Sequence, residues 1–168
     1  MDGPPLFLRA LEDTALSTWL RESTSVFGFW FVLSFHAIGM GLLVGASIVI
    51  ALRLLGAVQD LSLAPLKRLY PFIWVGFWVQ LVSGVLLLIA YPTKSLTNVT
   101  FYVKLVLIGV GMGVMVRLKH LFDDSSLSEA AMVVNGKTLA MLSLVVWFGA
   151  LTAGRFLAYT ATYLTYPR

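Results

Sequence analysis

The sequence predicts an all-α fold: four transmembrane helices packed as a bundle, preceded by a short amphipathic helix at the membrane surface. Three observations predict it. Hydrophobic residues make up 59% of the 168-residue chain and charged residues 12%, against roughly 45–50% and about 25% in soluble domains. Mean hydropathy is +0.89, more apolar surface than a soluble domain of this size can hide. The apolar residues are also gathered into long stretches with few charges, separated by polar loops rich in Lys and Arg.

The amphipathic helix is expected at residues 6–21, where Leu6, Phe7, Ala10, Leu11, Leu16, Trp19 and Leu20 alternate with charges. The N-terminal stretch lacks a basic start and a long apolar run, and it carries Asp2, Glu12 and Asp13. It therefore does not read as a signal peptide, and the first span is expected to direct its own insertion. No formal charge lies between Glu22 and Arg53. That stretch can cross a hydrocarbon core of about 30 Å, and the first span is expected near 26–52. Residues 69–93 are again uncharged, with Pro71 suited to a first helical turn and Pro92 to a stop, so the second span is expected near 71–90. Tyr70, Trp74, Trp78 and Tyr91 flank it as an aromatic belt would. The third span is expected near 99–118, capped by Thr97 or Asn98, and the fourth near 137–163. The intervening polar loop carries a capping signature at Ser126–Glu129. The whole chain reads as one membrane domain.

Six basic residues (Arg53, Lys67, Arg68, Arg117, Lys119, Lys137) fall in the loops after spans one and three. Arg9, Arg21, Lys94 and Arg168 fall on the other side. The positive-inside rule then places both termini in the periplasm of a bacterial inner membrane. The net charge of +4 is accounted for by these loops, and no basic patch with interleaved aromatics suggests nucleic acid as a partner. With no cysteine, disulfides, Cys-ligated zinc, iron–sulfur clusters and covalently attached haem are excluded.

His36 leads the candidate functional residues. It lies about ten residues, or about 15 Å, inside the first span. An intramembrane histidine is costly and reads as a haem ligand, a proton relay or a quinone contact. The alternative is structural: Ala37, Gly41 and Gly45 form a small-xxx-small packing face, and His36 bonds a neighbouring helix. Lys104 and Arg155 lie in the same half of the bilayer, with no Asp or Glu inside any span. Two such cations call for an anionic partner, such as haem propionates, a lipid phosphate or an acid of another subunit, unless they snorkel to the headgroups. Thr152 and Tyr159 share the face of Arg155. Gln80, with Gly76 and Gly84 four residues to either side, is suited to interhelical bonding or to a quinone carbonyl. His120 falls at the opposite membrane face, too far from His36 to share one haem. Met40 is on the same helix as His36 and cannot take the opposite axial position. A second axial ligand would come from a partner chain. Gly109, Gly111 and Gly113 thin the third span for close packing or a flat ligand. No buried acid pair, Ser/His/Asp spacing or HExxH is present, so no catalytic constellation is expected.

The run LSFHAIGMGLLVGASIVIALRLLG and the late SLVVWFGALTAGRFLAY resemble a group of small bacterial four-helix membrane proteins with no assigned activity. The resemblance covers residues 14–163, with Trp19, His36, Gly39, Arg53, Trp74, Gly84, Lys104, Trp147 and Arg155 among its landmarks. More weakly, the first span resembles membrane cytochrome b and copper-resistance-type bundles, in which such a histidine binds haem. Three functions follow as expectations. The first is an electron-transfer subunit that binds b-type haem or quinone through His36, with Lys104, Gln80, Arg155 and Tyr159 around the cofactor. The second is a cofactor-free assembly subunit docked on other membrane subunits or on its own copies. The third is an oligomeric channel or small-solute transporter.

Overall fold

The computed structural model describes residues 6–23, 25 and 27–164. Val26, the expected start of the first span, and the C-terminal Arg168 lie outside the described residues. The fold is an all-α four-helix bundle. Four helices are long and apolar enough to cross a membrane, so the protein is a multi-pass membrane protein. In chain order the helices are α1 (Leu6–Glu12), α2 (Ala15–Glu22), α3 (Phe29–Leu55), α4 (Tyr70–Ala90), α5 (Pro92–Leu96), α6 (Val99–Asp123) and α7 (Glu129–Leu164), with a 3-10 turn at Ala64–Leu69 leading into α4. α3, α4, α6 and α7 are the spans.

α3 runs to Leu55 and α6 to Asp123, three and five residues further than expected, and three other boundaries differ for a local reason. The surface helix is broken at Asp13–Thr14: the Thr14 hydroxyl accepts from Ser17 N (3.4 Å) and caps a second helix. Leu8 and Leu20 are buried, while Phe7, Leu11, Leu16 and Trp19 are exposed as an apolar face; the side chain of Leu6 lies outside the described residues. Pro92 ends α4 and also opens the single turn of α5, whose first position tolerates a missing N–H. α7 starts at Glu129, eight residues before Lys137. Its cap is Ser128, whose hydroxyl accepts from Ala131 N (3.3 Å), and not Ser126, which donates to the Asp124 carboxylate. At 36 residues α7 is about 54 Å long at 1.5 Å per residue, so it projects beyond a core of about 30 Å. Asn98 caps α6 as expected, accepting from Thr100 N (2.9 Å).

The spans have an order in space that the sequence does not show. α3 packs along both α4 and α7, and α6 packs along α7. α4 and α6 are the neighbours left apart along most of their length. They meet only near the end that carries the two inter-span loops, here called the loop end. There the Tyr70 and Phe122 rings lie edge to face at 6.2 Å, and Lys67 pairs with Asp123 (3.6 Å). The apolar core is concentrated in that half, around Ile50, Leu54, Ile73, Leu118, Phe122 and Ala140. Trp147 closes its upper edge with its indole flat on Gly111, where an added Cβ would come within 2.9 Å of the ring.

The opposite, terminal end is held differently. α1 and α2 fold back over the end of α4. Arg21 donates to the Ala90 carbonyl (3.1 Å), to Ser17 Oγ (3.0 Å) and to the Glu12 carbonyl (2.7 Å). Arg21 thus satisfies a carbonyl that the C-terminus of α4 leaves without an intrahelical partner.

Candidate functional site

α3 and α4 cross in backbone contact at Gly39 and Gly76. A Cβ on Gly76 would lie 2.7 Å from Leu43 N and 2.9 Å from the Gly39 carbonyl. A Cβ on Gly39 would lie 3.0 Å from Gln80 N. Only glycine at both positions permits this approach. One turn above the crossing, the approach brings His36 against Gln80, Ser83 and Gly84.

Each hydrogen bond of His36 fixes the next. The Ser83 hydroxyl donates to the Val79 carbonyl (2.6 Å), so at the imidazole Ser83 Oγ can only accept. His36 Nδ1 therefore carries the proton it shares with Ser83 Oγ (2.9 Å). Nε2 is then bare, and both groups facing it are donors: Gln80 Nε2 at 2.8 Å and Lys104 Nζ at 3.4 Å. A neutral imidazole in the Nδ1–H tautomer satisfies all three partners. This assignment turns the Gln80 amide nitrogen toward His36, which leaves Gln80 Oε1 facing away, buried and without a hydrogen-bond partner.

His36, Gln80 and Lys104 come from α3, α4 and α6. They converge on a cleft of about 370 Å³ that α4 and α6 leave between them. Phe77, Ile108 and Leu157 line it, and exposed Leu81, Val85 and Leu105 form its lateral rim. Gly84 lies beside the imidazole, where an added Cβ would sit in ordinary contact with His36 Cε1 at 3.5 Å. Gly154 lies beside the Lys104 ammonium in the same way, at 3.7 Å. Lys104 lies about five residues, or about 8 Å, from the start of α6.

Of the residues singled out in the sequence, His36, Gln80 and Lys104 come together. Arg155 and Tyr159 do not line this cleft: both are exposed on α7, one residue and five residues past Gly154. His120 is exposed at the loop end. Ala37, Gly41 and Gly45 are exposed as well, and a Cβ on Gly41 or Gly45 would meet nothing within 4 Å. The helix–helix contact is made by Gly39 and Gly76 instead. Sequence reasoning missed Ser83, although its spacing of three from Gln80 places both on one helical face. Among the described residues no cluster of His, Asp and Glu could hold a metal ion. No protein family, curated protein or solved structure matches this chain.

Proposed function

We propose that this protein is a membrane subunit of an electron-transfer system that binds a quinone-class, lipid-soluble ligand in the α4–α6 cleft. One observation carries the reading. Hydrogen-bonding side chains from three helices converge at the closed end of an apolar cleft whose side faces lipid. A cleft of about 370 Å³ falls within the range of roughly 300–1,000 Å³ usual for small-molecule sites, and its mix of apolar lining and few polar groups matches them too. A lipid-soluble ring can enter sideways between α4 and α6. Lys104 then donates to an oxygen on the ring.

A b-type haem fits these residues poorly. Its iron would need His36 Nε2, which already accepts from Gln80 and Lys104, and the described residues place no second axial ligand near it. The excess of basic residues at the loop end favours an orientation with this cleft in the periplasmic half of a bacterial inner membrane.

The test is to purify the protein in mild detergent, extract it with organic solvent and identify co-purifying isoprenoids by mass spectrometry. Binding of a short-chain quinone to the wild type and to Lys104→Met is then measured in parallel. A bound quinone whose affinity falls in Lys104→Met supports the reading. A Soret band in the visible spectrum that disappears in His36→Ala would replace it with the haem reading.

A second reading, an assembly subunit, is supported by a different observation. The stripes Ala37–Gly41–Gly45 on α3 and Gly109–Gly113 on α6 face outward, and a Cβ on any of these four glycines would meet nothing within 4 Å. Such small-residue stripes admit a close-packed helix. Copurification of the intact protein with another membrane subunit, lost in Gly41→Leu, tests it.

A further inference from the structure

We infer that the cleft takes its ring as an anion: an acidic hydroxyquinone, held as the enolate, over a neutral quinone of the same size. This rests on the quinone-class reading and deepens it by assigning the charge of the ligand. The observation behind it is a cation with no counterion. Lys104 lines the cleft and keeps part of its surface exposed. Among the described residues its ammonium has one hydrogen-bond partner, His36 Nε2 at 3.4 Å, and no ion pair. That partner is neutral, because Ser83 holds the proton of Nδ1 and both groups at Nε2 are donors. No Asp or Glu lines the cleft. The chain has none between Glu22 and Asp60, between Asp60 and Asp123, or after Glu129. Glu12, an acid at the terminal end, accepts instead from Thr93 N (3.3 Å) at the start of α5.

Lys104 is also the group that can leave the imidazole at least cost. Nε2 has one lone pair, and the Gln80 amide nitrogen takes it at 2.8 Å. The 3.4 Å contact of Lys104 is long for a hydrogen bond. An ammonium has three N–H donors on a flexible four-carbon stem. It can therefore turn to a ligand oxygen while Gln80 keeps the imidazole paired. A neutral quinone oxygen accepts one such bond and leaves the positive charge uncompensated. An enolate oxygen accepts the same bond, and its charge cancels that of the ammonium. Opposite charges at this distance attract far more strongly in an apolar cleft than in water. That gain must offset the desolvation of both ions. The cation is already desolvated by the fold, so only the anion adds to the cost on binding. A preference on the order of tenfold follows, once each ligand is referred to the bilayer it leaves.

The experiment uses the whole protein in nanodiscs of phosphatidylcholine, which carries no net charge. Two ring probes with the same alkyl chain are compared: a hydroxynaphthoquinone, ionised at neutral pH, and its methyl ether, which keeps the ring and lacks the acidic proton. Each affinity is corrected for partition of the probe into protein-free nanodiscs. The ionised probe is expected to bind about tenfold or more tighter than the ether. Lys104→Met is expected to remove that preference. Equal or tighter binding of the ether by the wild type overturns the inference and leaves the quinone-class reading standing. A preference that survives in Lys104→Met overturns it too, since Lys104 is then not the group that reads the charge. Absence of binding by both rings overturns both readings. A saturated fatty acid of matching chain length that binds tighter than the ionised ring would assign the site to an acyl carboxylate and overturn both as well. The wild-type comparison needs no variant, so the inference can fail even if Lys104→Met does not fold.

Discussion

The two ends of the bundle use the same helices in opposite ways. At the loop end, α4 and α6 are drawn together by the Tyr70–Phe122 contact, the Lys67–Asp123 pair and a continuous apolar core. Several of its charges have partners: Arg53 pairs with Glu129 (3.1 Å) and donates to the Leu61 carbonyl, and Lys119 pairs with Asp123 (3.0 Å). At the terminal end the same two helices stand apart, the buried core shrinks to Leu20, Val32 and Ala90, and a lysine sits inside the membrane with a neutral histidine as its neighbour. A bundle meant only to span the bilayer has no reason to leave that gap or to place a cation in it. The contrast separates the half that makes the fold from the half that is free to bind.

The largest loss is expected at Trp147. Trp147→Ala empties the space over Gly111 and should cost about 3–5 kcal/mol, read as a large drop in thermal stability in detergent. Gly76→Ala attacks the crossing that connects the halves. The new methyl meets backbone that cannot yield, so a loss of about 1–3 kcal/mol is expected. Ligand binding should fall with it, because the helices that carry His36 and Gln80 are pushed apart.

Lys104→Met sharpens the contrast from the other side. Loss of a charge-assisted hydrogen bond should weaken ligand binding by about tenfold to a hundredfold. The melting temperature should hold or rise, since an intramembrane cation is removed. A clear drop in stability would assign Lys104 to the fold instead. Glu129→Gln at the loop end should change stability by at most about 1 kcal/mol, as expected for a pair with an exposed carboxylate.

The smallest effect concerns the loop before α7. Hydrogen bonds from Ser126, first its hydroxyl and then its backbone N–H, hold the exposed Asp124 carboxyl below its ordinary range. A group whose folded pKa is depressed adds stability above its unfolded pKa, and that contribution is lost as pH falls through the folded value. An acid titration of melting temperature should therefore be slightly shallower in Asp124→Asn.

Much of this was legible in the residues. The number of spans, the Asn98 cap, the turn at Pro71 and the depth of His36 and Lys104 all follow from hydropathy, capping chemistry and the rise of a helix. The pairing of Gln80 with Gly76 and Gly84 on one face was legible for the same reason. The start of α7 was not, because the stretch 129–136 is too polar for a span although it is a sound helix outside the membrane. Nor was the identity of the packing glycines. Ala37, Gly41 and Gly45 fit the small-xxx-small spacing, yet α3 turns its Gly39 face to α4 and leaves that stripe outward.

The sequence by itself determined a four-span membrane protein with polar side chains buried in one half, because length, hydropathy and charge act locally along each helix. Only the tertiary structure decided that α4 and α6 would be the pair left apart. That gap depends on which helix faces touch, through the Gly39–Gly76 crossing and the Trp147–Gly111 contact, and helix periodicity carries no record of a partner's face. The same packing made one site of His36, Gln80 and Lys104, and left Arg155 and Tyr159 outside it.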